Sequence, residues 1–270
     1  MQPTTTGQNR TGAAVHPAGI SRMLEAVEEL SPQVPISTAP IEAERLRNIA
    51  EADSIGSIPP PASLVKGAVK KGMSMLRGVN PGLFMDKIGE RIAFERTGTR
   101  LYDALISKYL TLSEAGGEEL PPLDTVAIDD EEEGEPVLAP ASETPLDTLR
   151  RIRSEELGHF RMLCEVMGQL GGDPTAQTPC ADVTATATMG VLQVVTDPRT
   201  TLAQCLNAML VAELADTASW ELLADLATRA GQAELADRFT EAMMAEEQHV
   251  VAVRAWLRAL TVDAAGTPAV

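Results

Sequence analysis

Aromatic side chains make up only 3% of the 270 residues, and strand signals are equally scarce. The β-branched stretch "VTATAT" at 183–188 is too short and isolated to build a sheet, so an all-β fold is excluded. Three cysteines, Cys164, Cys180 and Cys205, form no Cys-x-x-Cys pair, which argues against a thiolate metal site. Cys164 and Cys205 sit in apolar helical patterns and read as small buried thiols. No apolar run approaches the ~20 residues needed to cross a bilayer. The opening "MQPTTTGQNRTGAAVHPAG" has neither the basic region nor the apolar core of a signal peptide. A soluble, cytoplasmic protein is the expectation.

Cations are also few, with 22 Lys and Arg against 39 Asp and Glu, a net charge of -17. Residues 114–143 hold eleven acids and no Lys or Arg, so -17 minus -11 leaves only -6 for the rest of the chain. With its Gly and Pro content this segment reads as a solvated, mobile acidic loop. Clustered cations for phosphate contacts are missing, which disfavours a nucleic-acid partner.

What remains is helical. Residues 1–62, rich in Thr, Pro, Ala and Ser, carry two short helical patterns, "ISRMLEAVEEL" and "IEAERLRNIAEA", and read as an N-terminal arm. Residues 63–80 form a basic amphipathic pattern, with Val65, Val69, Met73 and Leu76 opposite Lys66, Lys70 and Lys71. Packing against the protein's own body is favoured over a membrane surface for it. From 81 to 262 the pattern is that of four long helices, followed by a tail at 263–270. Asn80-Pro81, Thr144-Pro145 and Asp197-Pro198 are read as opening the first three helices, and the fourth runs from about Ala233 to Leu260. The second-to-third connection, about 25 residues long, is long enough to run the length of a bundle.

Histidine is also rare, with three in the chain, and two of them stand in matching contexts: Glu156-x-x-His159 and Glu246-x-x-His249. Residues i and i+3 share a helix face, so each pair turns a carboxylate and an imidazole toward one point. The other two helices each place a glutamate inside an apolar run, Glu95 beside Ile92, Ala93 and Phe94, and Glu213 beside Met209, Leu210, Val211 and Ala212. Each is followed seven residues later by an aromatic, Tyr102 and Trp220. The chain thus contains an internal repeat: Glu, aromatic at +7, then Glu-x-x-His. Unpaired buried carboxylates cost several kcal/mol each, whereas two divalent cations would neutralise four of them in an oxygen-rich shell completed by neutral imidazoles. The core at this level is expected to be built from Ala93, Val211, Ala212 and Ala245, with no wide pocket. Glu155, Glu247 and Glu90 read first as solvated helix-surface acids, with Glu155 also placed to hydrogen-bond a ligand histidine.

Across residues 81–260 the pattern resembles the ferritin-like di-metal carboxylate proteins, the superfamily of bacterioferritins, rubrerythrins and manganese catalases. The resemblance implies an all-α fold: a ferritin-like four-helix bundle with a long second-to-third crossover and an N-terminal helical arm. It also implies that Glu95 and His159 hold one metal, Glu213 and His249 the other, with Glu156 and Glu246 bridging. Tyr102 matches the tyrosine beside the site in that family and is the candidate catalytic residue, while Trp220 supplies packing. Two Fe ions are the expected cofactor, with two Mn ions as the alternative. The expected activity is a redox reaction of ferroxidase or peroxidase type with O2 or hydrogen peroxide as the small oxidant and an electron donor not encoded in the chain. The alternatives are a di-manganese catalase and a scaffold protein with a vestigial site. The long arm and acidic loop disfavour a storage shell, the missing Cys-x-x-Cys pairs disfavour a rubrerythrin relay, and a homo-oligomer fits the reading.

Overall fold

The computed structural model describes residues 17–31, 34, 37–52, 78–126, 143–263 and 265. Seven α-helices and no strand occur among them. The chain divides into two compact units, Met1–Ser54 and Ile55–Val270. The first unit holds α1 (Pro17–Leu30) and α2 (Ala39–Glu51), where the two short helical patterns were expected. The second holds α3 (Pro81–Glu114), α4 (Pro145–Gln169), α5 (Pro179–Thr196), α6 (Leu202–Arg229) and α7 (Ala233–Arg258). The predicted basic helix at 63–80 falls, except for residues 78–80, outside the described residues.

Helices α3, α4, α6 and α7 form the bundle. Asn80 caps α3 by accepting from the Gly82 and Leu83 amides, and Thr144 caps α4 by accepting from the Asp147 amide, with Pro81 and Pro145 just inside. Contacts run in opposite directions along α3 and α4: Arg153 meets Asp103, and His159 meets Glu95. They also run oppositely along α3 and α6, where Arg91 meets Asp216 and Lys108 meets Cys205. Both α4 and α6 therefore run antiparallel to α3 and parallel to each other, so the chain between them must travel the full bundle length.

The third helix was expected to open at Asp197-Pro198, with the preceding residues a mere connection. Instead, the crossover is itself a helix. α5 spans 18 residues, about 27 Å at 1.5 Å per residue, and Thr178-Pro179 opens it as Thr144-Pro145 opens α4. Its start is seated on α3: the Thr178 hydroxyl donates to the Asp86 carbonyl at 3.2 Å, and the Cys180 amide donates to Asp86 Oδ1 at 2.9 Å. Asp197 closes α5 rather than opening α6, because its carboxylate accepts from the Arg199 amide at 2.9 Å in a tight turn. α6 begins after a capping box of Thr201 and Gln204. At this end Lys108 of α3 donates to the Asp197 and Thr200 carbonyls at 2.7 and 3.2 Å, fastening the crossover's exit. The α6–α7 turn is tight because Gly231 takes φ +69°, where glycine is free of strain.

Two apolar clusters fill the bundle, one above and one below its middle. One gathers Leu101, Leu105, Leu149, Ile152, Leu206, Met209, Val253 and Trp256. The other gathers Phe84, Ile88, Leu163, Val166, Trp220, Leu223 and Phe239. The acidic segment departs from the expected free loop at its described start. Leu120 and Leu123 are 4% and 5% exposed and join the first cluster, the Pro121 carbonyl accepts from Trp256 Nε1 at 2.9 Å, and Glu118 accepts from the Leu202 amide at 2.7 Å. Apolar residues spaced among the acids anchor it, a signal that net charge hides. Residues 127–142 lie outside the described residues.

Leu123→Ala should accordingly cost about 2–5 kcal/mol of unfolding free energy, the range for a buried leucine truncated to alanine, measurable by urea denaturation of the metal-free protein. A loss under ~0.5 kcal/mol, typical of a surface site, would return the segment to the status of a free loop.

Candidate metal centre

Between the two apolar clusters, all four bundle helices turn acids inward at one level. Glu95 comes from α3, Glu156 and His159 from α4, Glu213 from α6, and Glu246 and His249 from α7. The structure brings together all six residues singled out from the sequence. Five are buried, and only His159 keeps an edge to solvent, its side chain 13% exposed.

The two imidazoles face the acids through Nδ1. His249 Nδ1 lies 2.7 Å from Glu246 Oε2, 3.5 Å from Glu156 Oε1 and 3.7 Å from Glu213 Oε2. His159 Nδ1 lies 2.8 Å from Glu246 Oε1 and 3.6 Å from Glu95 Oε2. Donor atoms within 4.8 Å of one another form three overlapping groups, Glu156/Glu213/Glu246/His249, Glu95/His159/Glu246 and Glu95/Glu156/Asp216/Glu246. Glu246 belongs to all three, and Glu156 joins the Glu213/His249 group to Glu95. Yet among the described residues Glu95 Oε2, Glu156 Oε2 and Glu213 Oε2 are buried with no hydrogen-bond partner, and His159 Nδ1 and Glu246 Oε1 meet only each other at hydrogen-bond distance, within the cage. Burying polar atoms without partners is costly, and the convergence of these donors in overlapping groups of oxygen and nitrogen suits hard divalent cations. The donor set fits the metal pair that the sequence implied.

Room for the cage comes from glycine. A Cβ at Gly98 would fall 2.0 Å from Glu156 Oε2, so α3 can pass this carboxylate only without a side chain there. The aromatics at +7 cross the bundle in matching fashion. Tyr102 meets His249 edge-on with ring centroids 6.4 Å apart, and Trp220 meets His159 edge-on at 5.5 Å. Only the tyrosine's polar atom is satisfied, its hydroxyl donating to Glu213 Oε1 at 2.7 Å, whereas Trp220 Nε1 is buried without an acceptor among the described residues.

The sequence reading passed over three neighbours. Arg91, buried one turn before Glu95, donates to both Glu95 and Asp216 and lies between the rings of Phe94 and Trp220, 4.6 and 5.4 Å from their centroids. Asp216 is buried on α6, three residues after Glu213. That spacing matches Glu-x-x-His and was the available signal, while Arg91 was hidden among the ordinary surface charges of α3. Glu155 proves to be the histidine partner rather than a solvated acid: its Oε2 lies 2.8 Å from His249 Nε2, and Arg151 donates to both of its oxygens, at 3.1 Å to Oε2 and 3.2 Å to Oε1. Glu247 is exposed as expected, and Glu90 is half-buried beside Lys87 at 2.5 Å. Val211, expected in the core, is 61% exposed, because it sits about 200° around α6 from Glu213.

Electrostatics follow from this crowding. Burial pushes the Glu156 carboxyl well above its ordinary value, and the charges of Glu246 and Glu95 push it further. Burial likewise raises Glu213 and Asp216, although His249 and Arg91 respectively oppose it. Burial would also raise Glu246, but His249 and His159 outweigh it and hold that carboxyl well below the usual range. For His159, burial disfavours the cation, yet Glu246 and Glu95 outweigh it and push the pKa up to about 10. Burial and the adjacent Glu213 keep the Tyr102 phenol protonated far above its normal range.

A bundle of this topology, with a carboxylate and histidine cage at mid-height, defines a helical protein whose buried cluster is compatible with a metal site. Residues 147–261 match the family model described as Ferritin-like domain, and the match supports membership of the ferritin-like superfamily. The matched stretch takes in α4 to α7; Glu95 and Tyr102 on α3 join the site through the geometry above. No curated protein and no solved structure matches the chain.

Two outcomes test the cage. Gly98→Ala should leave helix content intact, since alanine is the better helix former by about 1 kcal/mol. Displacing Glu156 should nevertheless weaken Co(II) binding by about tenfold or more, as read by equilibrium dialysis, and native affinity would show that the space is not tight. In the metal-free protein at pH 7, His159 carries a proton on the nitrogen a cation would take, because pH 7 lies below its raised pKa of about 10. Metal loading should therefore release protons, and affinity should climb as pH rises from 6 toward that value. A pH-stat titration showing uptake without proton release would contradict this arrangement.

Proposed function

We propose that this protein is a di-iron carboxylate redox protein that reacts with O2 or hydrogen peroxide. The observation that carries the reading is the convergence of buried carboxylates, three of them with an unpartnered oxygen, and two imidazoles from four helices on overlapping donor groups. In it, Glu95 and His159 would hold one ion, Glu213 and His249 the other, and Glu156 and Glu246 would be shared. Two adjacent ions, each changing by one electron, would supply the two electrons that reduction of peroxide requires.

The chain's own groups supply the rest. Glu155 accepts from His249 Nε2 and so fixes which nitrogen faces the cage. Tyr102 holds its proton at the hydroxyl oxygen and directs it at Glu213 Oε1, which orients that carboxylate and keeps an oxidisable ring next to the centre. The apolar clusters on either side exclude water from the cage. With only the His159 edge reaching solvent, the site suits a small oxidant rather than a bulky organic substrate. Turnover then depends on an electron donor from outside the chain, or on fresh Fe(II).

Loading with Fe(II) should approach two ions per chain, and replacing both His159 and His249 with alanine should sharply reduce it. Stopped-flow absorbance should show the ferric band appearing faster than in free Fe(II) on mixing with peroxide or O2, and more slowly in Tyr102→Phe. No acceleration over free Fe(II), together with catalase activity in the Mn-loaded protein, would transfer the assignment to a di-manganese catalase. Full iron content in the double histidine variant would show that the cage is not the site.

A further inference from the structure

The internal repeat makes the two halves of the cage equivalent in sequence, but their surroundings are not. At one end, Glu213 accepts from the neutral hydroxyl of Tyr102 at 2.7 Å, and His249 is backed on Nε2 by the Glu155 carboxylate at 2.8 Å. At the other, Glu95 accepts from the buried guanidinium of Arg91. Among the described residues, His159 pairs only with Glu95 and Glu246, both within the cage, and has no carboxylate behind it. Counting from Glu95 and Glu213, Gly98 on α3 stands where α6 has Asp216, and that aspartate holds the same guanidinium. Arg91 is immobilised by two acids and two aromatic rings, so its hold on Glu95 is built into the fold.

These differences act in the same direction. A carboxylate already donated to by a guanidinium has less electron density and fewer free lone pairs for a metal. A phenol hydrogen bond draws off less. A histidine whose far nitrogen donates to a carboxylate is a more basic and better oriented ligand than one without such a partner. The shared carboxylates Glu156 and Glu246 belong to both halves and cannot cancel the contrast.

We infer that the two metal positions are unequal and fill in order, the Glu213/His249 position first and the Glu95/His159 position second, with Arg91 as the positioning residue that weakens the second. This rests on the cage being a two-metal centre. The physical consequence is a range of metal concentration over which the centre is half-filled, with one ion held and the partner position open.

The test is a Co(II) titration of the full-length, chelator-stripped protein, followed by visible absorption and by calorimetry. The native chain should show two resolved steps. Arg91→Met should tighten the second step by about tenfold, the scale on which the groups around metal ligands act, while changing the first less than about threefold. Arg91→Lys, which keeps the charge, should preserve the inequality. Glu155→Gln should weaken the first step and bring the two together from the other side. Should Arg91→Met fail to fold by circular dichroism, the double variant Arg91→Met/Asp216→Leu removes both charges and should still narrow the gap. Two equal steps in the native chain, or an unchanged ratio in the folded arginine variants, would overturn the inference while leaving the metal centre standing. Absence of any Co(II) binding would overturn both.

Discussion

The charge buried at the middle of the bundle is the constraint on which everything else depends. Five carboxylates, Glu95, Glu156, Glu213, Asp216 and Glu246, lie together with one guanidinium, Arg91. If all are ionised, -5 plus +1 leaves -4, a charge no apolar interior tolerates uncompensated. Without metal, protons supply the compensation: both imidazoles are held protonated by the carboxylates, and burial raises Glu156, Glu213 and Asp216. Two divalent cations would balance the same -4. Protons and metal ions would thus compete for one cage, which would link metal affinity to pH and to folding.

The rest of the bundle serves to hold that charge in place. In this four-helix cage α4 and α6 are parallel, and that direction is possible because α5 spans the bundle length and is tied to α3 at both ends. Thr178 and Cys180 fasten its start to Asp86, and Lys108 fastens its exit through the Asp197 and Thr200 carbonyls. Apolar clusters above and below the cage lower the local dielectric, which strengthens each ion pair and raises the cost of leaving any of them unmade. Trp256, capped by the Pro121 carbonyl, ties the acidic segment's start to one of these clusters. The segment's charge and its anchorage are therefore carried by different residues of the same stretch.

Near-symmetry with local exceptions is the other organising feature. Glu95 and Glu213, Tyr102 and Trp220, and the two Glu-x-x-His pairs are related by the repeat, and the edge-on contacts of Tyr102 with His249 and of Trp220 with His159 preserve it in space. The exceptions are chemical. Tyr102 carries a hydroxyl where Trp220 offers an indole, Gly98 leaves space where Asp216 adds an acid, and Glu155 has no acidic counterpart before Glu246, where Ala245 stands. Such exceptions make two half-sites that are alike in sequence chemically different.

By itself, the sequence determined the helical class, the starts of α3 and α4, and six residues that the structure brings together. These follow from local rules: helix periodicity puts i and i+3 on one face, Pro beside a capping side chain marks helix starts, and a glutamate inside an apolar run must be compensated. Tertiary structure decided what depends on partners distant in the chain. α5 went unread because Thr and Ala without charge give little amphipathic signal, although Thr178-Pro179 repeated the start signal of α4; its stability comes from packing on α3 and α6. Asp197-Pro198 carries that same signal and is used to end a helix, because Thr201 and Gln204 cap α6 better. Glu155 and Glu247 both neighbour a cage residue in the sequence, and only the position of His249 across the bundle makes the first a partner and leaves the second solvated. Arg91 and Asp216 stand 125 residues apart. Asp216 had a faint local signal in its spacing after Glu213, but no local pattern distinguishes Arg91 from surface charges, since what gives the pair its role is the low-dielectric interior in which the two meet.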